Sequence, residues 1–103
     1  MHVSDLSIAH IKALKFLKEK SKSITLNCGY GKGYSVLEIL NIFQKMKKNL
    51  KINFVERRRG DVAAVYSNTK KFKKIFNMNM KYDNIYKILK SSIKWERILK
   101  KRK

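Results

Sequence analysis

The stretch NCGYGKGYSVLE, residues 27–38, constrains this chain more than any other. Gly29, Gly31 and Gly33 stand within five residues, and an apolar run follows at once. Glycine adopts backbone angles closed to other residues, so this spacing marks a tight turn. Ser35-x-x-Glu38 then has the spacing of a capping box. The Ser35 hydroxyl can accept from the backbone N–H of Glu38, and the Glu38 carboxylate can reach back to that of Ser35. Glycine turns ahead of helices also cradle phosphates, but both phosphate motifs fail here. A dinucleotide fingerprint runs G-x-G-x-x-G, and the third glycine comes one residue early; a P-loop ends in G-K-[ST], whereas Gly31-Lys32 is followed by Gly33. The stretch is read as a strand-to-helix turn, with a lesser role as the wall of a ligand pocket left open.

The rest of the chain is arranged around that turn. Residues 4–20 read as a helix, capped by Ser4 or Asp5, with Leu6, Ala9, Ala13, Phe16 and Leu17 at helical spacing. SITLN (23–27) and the alternating KINFVE (51–56) read as strands, and VAAVYSN (62–68) as extended chain. A helix is expected over 35–46, with Val36, Ile39, Leu40 and Phe43 on one face. A short basic helix is expected over 69–76. A last helix over 83–99 carries Ile85, Leu89 and Ile93, with Trp95 as a packing anchor, and runs into the tail KKRK. There is no proline, no Ser/Gly linker and no repeat, so no domain boundary is expected. The order is mixed α/β with at most one βαβ unit, where a doubly wound domain needs several. The chain reads as a portion of something larger.

Its charge is extreme. There are 26 Lys and Arg against 7 Asp and Glu, a formal +19, and 21 of the 26 are lysine. Such a balance suits an anionic partner, nucleic acid first. It is equally what AT-rich codon usage would give on any fold. On the last helix Lys87, Lys90, Lys94, Arg97 and Lys101 fall three and four apart, a cationic stripe that is either a solvated face or a phosphate-binding ridge. The lone cysteine, Cys28, builds neither a disulfide framework nor a zinc site, so a reducing, cytoplasmic setting is expected. His2 and His10 have no third ligand nearby, so no metal site is expected. Lysines interrupt the only apolar N-terminal stretch, which argues against a membrane span.

ERRRGD (56–61) is the sharpest local feature. Arginine's planar fork suits phosphate better than an ammonium does, and three in a row stand out on a lysine-rich background. Asp61 can accept two hydroxyl hydrogen bonds, as a ribose requires; a solvated loop with a capping aspartate is the alternative. Tyr-x-x-x-Lys pairs at Tyr66/Lys70 and Tyr86/Lys90 have the spacing of an acid/base pair. In a chain so rich in lysine they are read as coincidence.

Three motifs join these features. HVSDL (2–6), NCGYGKGYSVLEIL (27–40) and RRRGDVAAVYSN (57–68) stand in an order and spacing that resemble the C-terminal part of bacterial UDP-glucose 4-epimerases, in the extended short-chain dehydrogenase/reductase family. RRRGDVAAVY resembles the epimerase pattern R-R-x-G-D-x-A, where sister dehydratases carry Gly-His-Asp. The resemblance covers about 1–95 and leaves 96–103 as a basic tail. It implies one C-terminal UDP-sugar-binding subdomain over 1–103. Its fold class would be α/β, mostly helices with two or three short strands, without the Rossmann domain.

The resemblance also implies that Arg58 contacts the UDP diphosphate and Asp61 holds the uridine ribose. Val36 would line the uridine site and Val65 would lie beside the sugar. The family's first motif reads R-D-Y-I-H-V-x-D-L, and Met1 stands at its isoleucine, so its arginine has no counterpart here. The family's NAD site, its catalytic Ser or Thr and its Tyr-x-x-x-Lys pair have none either. The implied activity is an NAD-dependent isomerase of galactose metabolism. These residues are expected to hold no catalytic or NAD-binding group, to bind UDP-sugar weakly and not to epimerise alone. The alternatives are a small basic nucleic-acid-binding protein, or a piece of another nucleotide-sugar epimerase.

Overall fold

A computed structural model of the chain describes residues 1–47, 49 and 51–102. Its elements are α1 (Val3–Lys20), α2 (Val36–Met46), α3 (Lys70–Phe76) and α4 (Ile85–Arg102). The expected α/β class is overturned: among the described residues there is no strand. The reason is physical. Alternation says which side of an extended segment is apolar, but a strand exists only where a neighbour supplies the other half of the ladder. SITLN lies instead against helices. Ile24 and Leu26 line a hollow with Ala9, Ala13 and Phe76, and Lys71 Nζ donates to the Thr25 carbonyl at 3.2 Å. KINFVE leaves Phe54 and Val55 more than four-fifths exposed, and Val62 and Val65 of the third segment are also exposed.

The expected helices form, with corrected ends. His2, rather than Ser4 or Asp5, caps α1: its Nδ1 accepts from the Ser4 N–H at 3.1 Å. At the other end Ser21 turns left-handed (φ 47°) and its N–H bonds the Leu17 carbonyl. The capping box of α2 is present on both arms. Ser35 N–H donates to Glu38 Oε2 at 2.7 Å, and Glu38 N–H donates to Ser35 Oγ at 3.2 Å. These bonds, the backbone one foremost, hold the Glu38 carboxyl below its usual range. Asn84 starts α4 by accepting from the Lys87 N–H. The helix runs on to Arg102, so the basic tail is helical as far as it is described, with Lys103 outside the described residues.

The core is small. α1 crosses α3 where Ala9 is short enough to admit Phe72 and Phe76. Ala13, Phe16, Leu26, Ile75, Met78 and Met80 surround that contact. Phe72 is fully buried and meets Phe76 edge-on at 5.4 Å, an arrangement that suits two ring quadrupoles. α2 lies along α4 with Phe43 beside Ile93, but no residue of α2 is fully buried, and Val36, expected on its packed face, is 73% exposed. Trp95, expected as an anchor, is 53% exposed.

The chain exposes 9328 Å². A folded 12.2-kDa monomer ordinarily exposes about 6,100 Å². Its radius of gyration is 17.3 Å, against about 13 Å for a compact chain of this length. α1 shows where the excess lies. Ala9, Ala13 and Phe16 pack inward, yet Val3, Ile11 and Leu14 form a second apolar face that is two-thirds exposed. A helix apolar on both sides has the pattern of one buried on both sides. No described helix is long and apolar enough to cross a membrane.

The contact of Phe72 and Phe76 with Ala9 is the buried centre of the α1–α3 packing. Phe72→Ala is therefore expected to cost about 3 kcal/mol or more. Urea denaturation followed by far-ultraviolet circular dichroism measures it; a loss under half that size would place the stabilising core elsewhere.

Candidate UDP-sugar site and the polar knot behind it

Of the four residues singled out from the sequence, the structure joins two. Asp61 N–H bonds the Arg58 carbonyl at 3.2 Å, closing a four-residue turn in which Gly60 takes a φ of 91°. Across that turn Arg58 lays its fork on the carboxylate, with Nε 3.4 Å from Asp61 Oδ2 and a terminal nitrogen 3.3 Å from Oδ1. Arg57 donates to the Asp61 carbonyl at 2.7 Å, which holds the turn from the other side. The Arg58 side chain is 85% exposed, so it leaves N–H groups facing solvent. The turn thus presents planar cationic donors and one carboxylate together.

Val36 and Val65 are exposed, and each lies near one junction. The glycine turn runs beside residues 66–69. A side chain at Gly29 would collide with Ser67 Oγ, and one at Gly31 would come within 2.7 Å of Thr69 Oγ1. One at Gly33 would sit 3.4 Å from the Tyr66 ring. This contact brings the start of α2, with Val36 as its first residue, toward the chain just after Val65. Gly31 also needs its glycine for a φ of 74°. The glycines are therefore used to let two chain segments approach. The turn does not fit a dinucleotide pyrophosphate: its close face is filled by Ser67 and Thr69, and Tyr30 between the glycines is buried.

Tyr30 is the residue that sequence reasoning missed. Its hydroxyl donates to Asp5 Oδ2 at 2.8 Å and accepts from the His2 N–H at 3.0 Å. The same Asp5 oxygen accepts from the Tyr82 N–H at 3.0 Å. Asp5 is fully buried, and its other oxygen accepts no bond among the described residues. The His2 ring stacks on Tyr82 at 4.1 Å. Because His2 Nδ1 accepts from Ser4, the neutral ring carries its proton on Nε2, which donates to Ser91 Oγ at 3.0 Å. The Ser91 hydroxyl in turn donates to the Ile88 carbonyl at 2.7 Å. One polar knot thus ties α1, the glycine turn, the segment before α4 and α4 itself. A signal was present: Asp5 continues the helical spacing of Ala9, Ala13 and Phe16, which places an acid on an inward face.

Burial first, then the Asp5 carboxylate, pushes the Tyr30 phenol up to about 12, against an opposing bond from the His2 backbone. Tyr30 therefore holds its proton and is a structural donor, not a base. Tyr66 and Tyr86, the two with a lysine four residues on, are both exposed. No group of three potential metal ligands occurs among the described residues.

Known proteins match this chain along most of its length. It is 33% identical to a UDP-glucose 4-epimerase of Azospirillum brasilense over 100 residues, 96% of this chain and 29% of that one. It is 37% identical to UDP-arabinose 4-epimerase 1 of Arabidopsis thaliana over 97 residues, 93% of this chain and 23% of that one. Identity reaches 48% with the UDP-glucose 4-epimerase of Mus musculus, over 66% of this chain and 20% of that one. This chain is a relative of the C-terminal part of the nucleotide-sugar 4-epimerases. It spans less than a third of the length of these curated relatives. No family profile and no solved structure matches it.

Above its ordinary range the Tyr30 proton is kept by the fold. Its contribution to stability is full below about pH 10 and is lost as the pH rises from there to about 12. Spectrophotometric titration of tyrosinate should show one late step near 12 that Tyr30→Phe removes. Survival of that step in the variant would assign it to another tyrosine.

Proposed function

We propose that this chain supplies the UDP-sugar side of a nucleotide-sugar 4-epimerase. The similarity to enzymes that act on UDP-glucose and UDP-arabinose supports the reading, and the Arg58–Asp61 turn carries it. There a guanidinium fork able to take two phosphate oxygens sits 3.3 Å from a carboxylate able to take two ribose hydroxyls. Arg58 would hold the diphosphate and Asp61 the uridine ribose. Val36, at the start of α2, would give the uracil an apolar wall, and Val65 would stand beside the sugar. In binding, the Arg58–Asp61 pair would open and each partner would exchange its intraloop bond for one to the ligand, so the turn is preorganised in charge but not yet in contact.

Epimerisation at C4 by this family relies on NAD as a transient hydride acceptor. No residue here is assigned to NAD, because the glycine turn does not fit a dinucleotide. The isomerase activity, its place in galactose metabolism and a cytoplasmic location are part of the same proposal and rest on the relatives. The choice between a hexose and a pentose would fall to residues facing the sugar, of which Val65 is the candidate in this chain.

Binding of UDP to the purified chain, followed by ligand-observed NMR, tests the reading. Asp61→Ala and Arg58→Lys should each weaken UDP by about ten-fold or more, since each removes charge-assisted or bidentate bonds. Unchanged affinity in Asp61→Ala would overturn the assignment of that residue. Absence of UDP binding in the unaltered chain would show that these four residues do not suffice.

A further inference from the structure

The cationic stripe of α4 is not absorbed by the UDP-sugar reading, and the structure gives it a setting. Lys87, Lys90, Lys94, Arg97 and Lys101 are all exposed and lie along one side of the helix. Among the described residues no carboxylate pairs with any of them. Their span of fourteen residues is about 21 Å at the helical rise. That length matches about six phosphates at a rise of about 3.4 Å per nucleotide.

Immediately beside the stripe lies a cleft between α4 and the end of α2. It consists of two hollows, of ≈ 490 and ≈ 290 Å³, which meet at Ile93 and Arg97. Tyr86, Met46, Ile93 and Phe43 give it an apolar and aromatic lining, Lys47 and Lys100 add positive charge, and Glu96 is the one carboxylate among its lining residues. Tyr86 is about half exposed, so part of it is within reach of a ligand.

A bank of cations beside a cleft with an aromatic wall is what an unpaired strand requires. Phosphates follow the charges, and bases, each with a π-face, turn into the cleft and stack. A duplex hides its bases and would use only the bank. An acidic polypeptide such as polyglutamate would use the bank too, but it has no flat ring to offer Tyr86. We propose that the α2–α4 cleft and its cationic bank bind single-stranded nucleic acid without sequence preference. This site is separate from the Arg58–Asp61 turn and does not depend on the UDP-sugar reading.

Fluorescence anisotropy with the full chain, a labelled single-stranded oligonucleotide and the same strand annealed to its complement decides the matter. The single strand should bind about ten-fold tighter than the duplex, the worth of one stacked base. Its log affinity should fall against log salt with a slope of about −3.5 for five phosphates. Lys90→Gln/Lys94→Gln/Arg97→Gln should reduce that slope by about 2. Lys18→Gln/Lys20→Gln/Lys22→Gln, an equal loss of charge on exposed positions at the end of α1, should leave it unchanged. Tyr86→Ala should abolish the preference for the single strand and keep the slope. Ultraviolet cross-linking of the unaltered chain, mapped by mass spectrometry, should find the strand on Tyr86 and needs no variant to fold. Equal weakening by the two triple variants, a duplex bound as tightly as the single strand, equal competition by polyglutamate, or cross-links confined to α3 or to the Arg57–Arg59 run would each overturn the proposal.

Discussion

The buried carboxylate of Asp5 is the constraint on which the arrangement of this chain depends. An ionised group out of water is costly unless donors meet it. Here two donors from different parts of the chain, the Tyr30 hydroxyl and the Tyr82 N–H, converge on one oxygen. Removing either leaves a buried charge short of a partner, so each holds its segment in place. Tyr30 brings the glycine turn, and with it the start of α2. Tyr82 brings the segment that leads into α4, and the His2 stack and the Ser91 bond close the knot from the other side. The apolar core of Ala9, Phe72 and Phe76 is too small to specify this arrangement by itself.

That division explains which parts were legible in the sequence. Most signals made of neighbouring residues are borne out, the cap of α1 excepted, where His2 takes the place expected of Ser4 or Asp5. Ser35 and Glu38 form both arms of the expected box, and all four helices occur where periodicity put them. The Arg58–Asp61 turn also needed only local chemistry, with a glycine where the backbone goes positive. Signals that depend on a distant partner were misread. SITLN and KINFVE have the composition of strands, but among the described residues no neighbour completes a ladder, and they form no strand. Tyr30 stood in a stretch whose glycines drew attention to phosphate, while its own role is set by an acid 25 residues earlier. Asp5 is expected as a cap at a helix start, whereas its spacing with Ala9 and Ala13 puts it inside.

Two surfaces remain after the packing is accounted for, and they differ in kind. One is apolar: Val3, Ile11 and Leu14 of α1, with Val36, Val62 and Val65 exposed elsewhere. The other is cationic and follows α4. The relatives match this chain over less than a third of their own length, and the residues of the UDP-sugar reading belong partly to the first surface. Arg58 and Asp61 meet on a local turn, while the glycine turn that leads into α2 passes close to Tyr66, Ser67 and Thr69, just after Val65. The charge of +19 is therefore a poor guide to the first surface and a direct one to the second.

The polar knot also sets an order of events in time. Its bonds join residues 25, 28, 77 and 89 apart in the chain, whereas α1 and α4 are stabilised by bonds four residues apart. Helices of this kind form on the microsecond scale, while distant contacts wait on loop closure. The Ser91–His2 bond spans nearly the whole sequence, so it can be made only after α4 has emerged and folded back. Until then Asp5 is hydrated, Tyr30 is free and both apolar faces of α1 are open. The interval between helix formation and closure of the knot is thus when this chain is most prone to self-association.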